Sequence, residues 1–374
     1  MENKPIFLSG LNGIRTIAAF GVVISHINLS LGRFDIKTIS LFGFNEKGAQ
    51  KGWVLGEHGV TMFFVLSGFL ITYLLLKEYE KTNTIKIKAF YVRRILRIWP
   101  LYYFYIMLVI LTIYSTFIFD KNLFYYLTLF ANIPFINGAA YPAMYHLWSI
   151  SVEEQFYLFW PFLFLFLVNK KFIRNLFLII TVFSLVRIGI WHFQPFSIPA
   201  LIAVVNRFDC MMFGALGAFL VFRNSRIIFL LNNKIIQILA WLVMLTLILN
   251  IFQFMNSIIE IFIVELLTLT IIIGQINIKN RVVNLENKIV SYFGKLSFGI
   301  YVYHPLLIFI LAKISFTNSF YEFKEFEKAV IIFLLVIFFT IMISHISYYK
   351  YEVKFLKLKH KFSIIKSTNN KADV

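Results

Sequence analysis

The chain has 374 residues, 60% of them hydrophobic and 14% charged, with a mean hydropathy of +0.79. Soluble domains average about 45–50% apolar and about 25% charged residues, so an ordinary soluble domain is excluded. The net charge of +18 would suit nucleic acid, but the charges lie between long apolar runs, where they set membrane topology.

Apolar runs near ~20 residues match a ~30 Å hydrocarbon core at ~1.5 Å per residue. The sequence predicts an all-α, polytopic membrane protein with ten spans, at about 11–31, 59–77, 100–118, 154–169, 173–192, 208–223, 235–253, 257–276, 296–313 and 328–348. The first span contains Arg15 in an apolar run and no A-x-A-like cleavage site, so it reads as a retained helix and not a signal peptide. Its stretch RTIAAFGVVISH, Arg15 to His26, carries an ionisable group at each end. Eleven residues at ~100° each place both on one helical stripe, with Ala18, Ala19, Val22 and Val23 along that face. The rise of ~16 Å is about half the hydrocarbon core. The plain alternative is that Arg15 snorkels to headgroups while His26 sits at the other interface.

A polar loop at about 32–57 leads to the second span. There GVTMFFVLSGFLI holds Ser67 and Gly68, small residues that admit either a ligand or a neighbouring helix. The basic run that follows ends in RRILRIWP. Arg93 and Arg97 are i,i+4 and Arg94 and Arg97 i,i+3, a spacing that suits bidentate phosphate binding or plain headgroup contact. Segment 120–150 is apolar but short and contains Asn132 and Pro134, so it is expected to be interfacial or re-entrant.

HLWSISVEEQFYLFWP, His146 to Pro161, enters the fourth span. Ser151-x-x-Glu154 fits a capping box at a helix start. Capping leaves Glu153 and His146 unexplained, and a carboxylate here could orient an imidazole or move a proton. Arg207 and Asp209 lie at the start of the sixth span, near the outer membrane edge, and are expected to pair with other charges. Cys210, the single cysteine, excludes an internal disulfide and reads as a packing residue. His304 precedes Pro305 in the ninth span, where it accompanies a kink or lines a cavity. No H-E-x-x-H, Cys pair, G-x-S-x-G elbow or Walker A is present, so no metal site, hydrolase elbow or ATP-driven pump is expected.

With alternating sides, twenty-six of the 36 lysines and arginines fall on one face. The positive-inside rule puts both termini in the cytoplasm. Residues 1–350 form one transmembrane domain and 351–374 a basic cytoplasmic tail, partly disordered at its end.

Taken in order, LNGIRTIAAFGVVISH, GVTMFFVLSGFLI, FYVRRILRIWPLYY, HLWSISVEEQFYLFWP, RFDCMMFGALGA and LSFGIYVYHPLL resemble the acyltransferase 3 family from Leu11 to about Tyr349. These are bacterial inner-membrane proteins that acylate, usually acetylate, surface or exported glycans. The family's Arg-x10-His falls on Arg15 and His26, its Arg-x-x-Arg on Arg94 and Arg97, its Phe-Phe-x-x-Ser-Gly on Phe63, Phe64, Ser67 and Gly68, and its Glu-Glu-Gln on Glu153, Glu154 and Gln155.

The resemblance implies acyl-CoA, most often acetyl-CoA, as donor, with Arg15, Arg93, Arg94 and Arg97 at its phosphates. It implies His26 at the chemistry, as general base or as acyl carrier, with Glu153 or Glu154 beside it. Ser67, Gly68, His146 and Ser151 are the expected path-lining residues. Implied partners are a glycan or glycolipid acceptor and membrane lipids. Some members add an extracytoplasmic hydrolase-like domain, which for this sequence is expected to be a separate partner protein or absent; a homo-oligomer is a further expected arrangement. A glycan or small-anion transporter shares the span count and buried ionisable groups, but would not depend on acyl-CoA.

Overall fold

In a membrane each span must satisfy its own backbone, which an apolar run achieves as a helix. The computed structural model describes residues 6–45, 48, 50–113, 120–168, 171–249, 257–314, 323–365 and 367–368. Among these, fifteen α-helices follow in chain order: α1 Leu11–Leu29, α2 Trp53–Thr82, α3 Ile87–Thr112, α4 Lys121–Leu127, α5 Asn132–Ile136, α6 Leu147–Leu167, α7 Phe172–Phe193, α8 Ile198–Val205, α9 Phe208–Phe222, α10 Arg226–Leu231, α11 Lys234–Ile248, α12 Ser257–Ile276, α13 Lys288–Lys313, α14 Glu325–Ser347 and α15 Val353–His360. A π-turn, Tyr348–Glu352, joins the last two.

Eight helical runs among the described residues are long and apolar enough to cross a membrane: α2, α3, α6, α7, the α8–α9 run, α12 from Ile259, α13 and the run Glu325–His360. The two other expected spans coincide with α1 and α11. Helix α1 falls short because Asn12, Arg15, Thr16, Ser25, His26 and Asn28 interrupt its 19 residues. Helix α11 has 15 described residues, and the rest of that expected span lies outside the description.

Several helices begin well before the expected spans: α2 at Trp53, α3 at Ile87, α6 at Leu147 and α13 at Lys288. Hydropathy marks where charge stops, whereas the helical backbone runs on through amphipathic turns. Arg93, Arg94 and Arg97 therefore lie inside α3 and do not precede it. The capping-box expectation is likewise corrected. Helix α6 starts after His146, and Ser151 is buried in its second turn, where its Oγ accepts from the Ala131 N–H at 3.1 Å.

Segment 120–150 forms the short helices α4 and α5, neither long enough to cross. It is held by Tyr102 donating to the Tyr126 carbonyl at 2.9 Å and Tyr105 to the Ala143 carbonyl at 2.5 Å. The first part of the expected tail is folded: α15 packs on α3, and Arg93 donates to the Phe362 carbonyl at 2.9 Å. Ile6–Phe7 (β1) pairs in parallel with Ser367–Thr368 (β2), bringing the two ends of the described chain together.

Helix α2 is the centre of the bundle, packed on α1, α9 and α12. Its crossing with α9 is backbone on backbone. A Cβ on Gly68 would sit 1.9 Å from the Met211 carbonyl oxygen, and one on Gly214 2.0 Å from that of Val65. Gly68 is thus a packing residue and not the path-lining residue expected from sequence. Overpacking costs about 1–3 kcal/mol, so Gly68→Ala is expected to lower the thermal midpoint in detergent. An unchanged midpoint would mean that the crossing yields.

Candidate active site

Two chambers lie along one side of α1. The first is lined by Arg15 of α1, Ser67 of α2, Arg94 and Arg97 of α3, Glu153 and Tyr157 of α6, and Tyr301 of α13, among others. Arg94 and Arg97 share a face because they are i,i+3 on α3. Arg15 donates to Asn12 Oδ1 at 2.9 Å, one turn back on its own helix. The Arg94 guanidinium lies over the Phe90 ring at 5.8 Å and the Tyr157 ring at 5.5 Å. The Tyr157 hydroxyl donates to Glu153, and Ser67 also reaches it. No ion pair ties Arg15, Arg94 or Arg97 to a described carboxylate. Three guanidiniums against the single carboxylate of Glu153 leave this chamber with an excess of positive charge, and guanidinium forks favour phosphate.

Arg93 points elsewhere. It pairs with Glu78 at 3.1 Å and holds Phe362, so it does not line this chamber beside Arg94 and Arg97 as the sequence led one to expect. Lys359 of α15 lines a neighbouring cleft with Glu78, Arg93 and Arg94, close enough to interact with Arg97 and Arg15 as well. Nothing in the sequence singled out Lys359, because it falls in the stretch read as a basic cytoplasmic tail.

The second chamber is lined by His26 of α1, Trp53, Gly56 and Glu57 of α2, Phe135 of α5, His146, Trp148 of α6, and Arg207. Val60 and Tyr301 line both chambers, so the two are neighbours across these side chains. Arg15 and His26 therefore do lie on one stripe, as the helical spacing requires. Ala18 and Val22 do not line it. They are buried against α2, where a Cβ on Gly59 would sit 2.6 Å from the Ala18 carbonyl oxygen.

His26 Nδ1 lies 2.7 Å from His304 Nε2, and its ring meets Tyr145 edge-on at 5.2 Å. His146 is buried, with Nε2 3.1 Å from the Val302 carbonyl, so it holds α13 while closing the chamber wall. Trp53, Phe135 and Trp148 stack in a row, with centroids 6.3 and 5.3 Å apart. Arg207 lies over Trp148 at 5.9 Å, pairs with Glu57 at 3.4 Å and donates to Thr61 at 3.0 Å. Asp209 pairs with Arg187 at 2.7 Å, the plain structural role that its position allowed. Among the described residues no group of three or more His, Cys, Asp or Glu has the arrangement of a metal site.

The carboxylates are not brought to the imidazole. Glu153 belongs to the arginine chamber. Glu154 accepts from Trp99 Nε1 at 2.7 Å and lines neither chamber, as is also true of Ser151. Glu154→Gln keeps an acceptor for Trp99, so the variant is expected to retain its activity per folded molecule and to lose at most about 1 kcal/mol of stability. A turnover assay normalised to folded protein checks this, and a large loss of turnover would return Glu154 to the chemistry.

The profile of a family described as an acyltransferase domain, acyltransferase 3, matches residues 8–349. A provisionally named O-acetyltransferase of Staphylococcus aureus (strain COL) is 28% identical over 386 residues, covering 95% of this chain and 58% of its own length. O-acetyltransferase OatA of S. aureus (strain NCTC 8325 / PS 47) is 28% identical over 374 residues, covering 92% of this chain and 56% of its own length. The chain thus spans somewhat over half the length of these curated relatives. No solved structure matches it significantly.

Proposed function

The chain belongs to the acyltransferase 3 family, and on that footing we propose that it moves an acyl group, acetyl above all, from acyl-CoA on the cytoplasmic side to a hydroxyl of a glycan or glycoconjugate on the outer side of the cytoplasmic membrane. The observation that carries this reading is the junction of the two chambers at Val60 and Tyr301. It sets an arginine-lined chamber and a histidine-bearing chamber side by side, with Val60 and Tyr301 as their shared wall. The relatives named O-acetyltransferase support the reaction class.

CoA is phosphorylated at one end and carries its thioester at the tip of a thin arm. Its phosphates fit Arg15, Arg94 and Arg97, with Lys359 at the rim. The arm then runs past Ser67 and Tyr301 towards His26, over the ~16 Å rise of α1 between the two residues. The stacked Trp53, Phe135 and Trp148 and the Glu57–Arg207 pair suit a sugar, which offers an apolar ring face and several hydroxyls.

His26 Nε2 takes the proton of the acceptor hydroxyl as its oxygen attacks the thioester carbonyl. The carbon–sulfur bond breaks, and the proton passes to the departing thiolate, giving CoA thiol and the ester. The pairing of the chain ends and the concentration of basic residues on that face support both termini being cytoplasmic, and ten spans require α1 and α11 to cross. The test is reconstitution in proteoliposomes with radiolabelled acetyl-CoA inside and glycan acceptor outside. Labelled ester on the acceptor is expected. Absence of label from a protein that binds acetyl-CoA, or flux of intact glycan without acylation, would contradict the reading.

A further inference from the structure

A histidine can act as base through Nε2 only if its proton sits on Nδ1, and that requires something to hold it there. In many sites a carboxylate does so. Here no described carboxylate hydrogen-bonds to His26, and its Nδ1 instead faces His304 Nε2 at 2.7 Å.

The far side of His304 decides the direction of this bond. His304 Nδ1 lies 3.1 Å from the Ile300 carbonyl oxygen, which can only accept. The ring also reaches the Tyr301 carbonyl, which Pro305 leaves without its helical donor. The His304 Nδ1 must therefore carry the proton. A neutral imidazole has one N–H, so His304 Nε2 is an acceptor and His26 Nδ1 must donate to it. The remaining lone pair of His26 is on Nε2. That atom faces the Gly56 wall of the histidine chamber, where a Cβ on Gly56 would be 3.9 Å away.

We propose that His304 is the positioning residue of His26: the chain Ile300 C=O, His304, His26 fixes the tautomer and ring orientation that expose a basic Nε2 to the acceptor hydroxyl. The proposal rests on the transferase reading above. It also explains why the orienting group is an imidazole. A neutral partner does this work without a permanent charge in the membrane interior. When His26 takes the hydroxyl proton, the new charge spreads into the short His26–His304 bond. It disappears when the proton moves on to the thiolate, so the dyad returns to its starting state each turnover. Nothing is consumed beyond thioester and hydroxyl.

The experiment compares wild type, His304→Phe and His304→Gln in the proteoliposome assay, with acetyl-CoA binding measured on each. Phe fills the space but cannot accept from His26 Nδ1. The amide oxygen of Gln can. His304→Phe is expected to lower kcat by about 100-fold or more at an acetyl-CoA KM close to that of wild type, and His304→Gln to recover at least a tenth of wild-type kcat. If Phe prevents accumulation in the membrane, His304→Met serves as the unbranched non-accepting variant. Wild-type turnover in His304→Phe overturns the proposal. Equal loss in Phe and Gln variants that both bind acetyl-CoA overturns it too, since a merely structural role would not distinguish an acceptor from a ring. Absence of transfer by the wild type overturns the transferase reading and this inference together, whereas an active wild type with an equally active His304→Phe overturns this inference alone.

Discussion

Replacing His26 by alanine is expected to lower acyl transfer by about 100- to 10,000-fold, the range in which a positioned general base contributes. Acetyl-CoA binding should survive, because Arg15, Arg94 and Arg97 line the other chamber. The protein should also still accumulate in the membrane. The His26 ring has one hydrogen-bond partner and touches the rings of Tyr145 and His304 at the chamber wall, and these contacts are few beside those of the bundle core. The check is single-turnover transfer beside equilibrium donor binding on the same preparation. Loss of both together would indicate misfolding, and wild-type turnover would remove the imidazole from the chemistry.

The second large effect concerns the donor. Hydrogen bonds to charged groups contribute about 1.5–3 kcal/mol each, and 1.4 kcal/mol is tenfold in affinity. Arg15→Ala, Arg94→Ala and Arg97→Ala are each expected to raise the acetyl-CoA KM by about 10- to 100-fold, with kcat at saturating donor close to wild type. 3′-Dephospho-CoA separates the contributions: an arginine that binds the 3′-phosphate loses its effect when that phosphate is absent. Arg93→Ala is the internal control. It breaks the Glu78 pair and the link to Phe362, so it is expected to loosen the α3–α15 contact without the same effect on KM. An equal KM effect at Arg93 would place the phosphates in the Lys359 cleft.

The two ends of α1 were legible in the sequence because helical geometry is local. Eleven residues fix the relative direction of Arg15 and His26 whatever surrounds them. The same holds for Arg94 and Arg97. The partners of these residues were not legible, because they arrive from other helices. His304 is 278 residues from His26 along the chain, and its pairing depends on how α13 packs against α1. Glu153 and Glu154 are adjacent in sequence, so spacing could not say that one faces the arginines and the other Trp99.

The capping box failed for a related reason. Its meaning depends on where the helix begins, and α6 begins at Leu147, four residues before Ser151 and ahead of the expected span. Gly68 shows the ambiguity of small residues. The same absence of a side chain admits a ligand or a backbone, and only the Met211 carbonyl decides between them. Fold class was the most legible property, since runs of apolar residues leave the backbone few alternatives in lipid.

The account depends on one path, with phosphates held by arginines at one end and a basic imidazole nitrogen at the other. The most direct measurement is an experimental structure of the protein with CoA bound. The account predicts CoA phosphates among Arg15, Arg94 and Arg97, with the pantetheine arm passing Val60 and Tyr301 and the thiol beside His26 Nε2. A CoA bound with its thiol away from His26, or a continuous wall between the two chambers in the bound state, would contradict it.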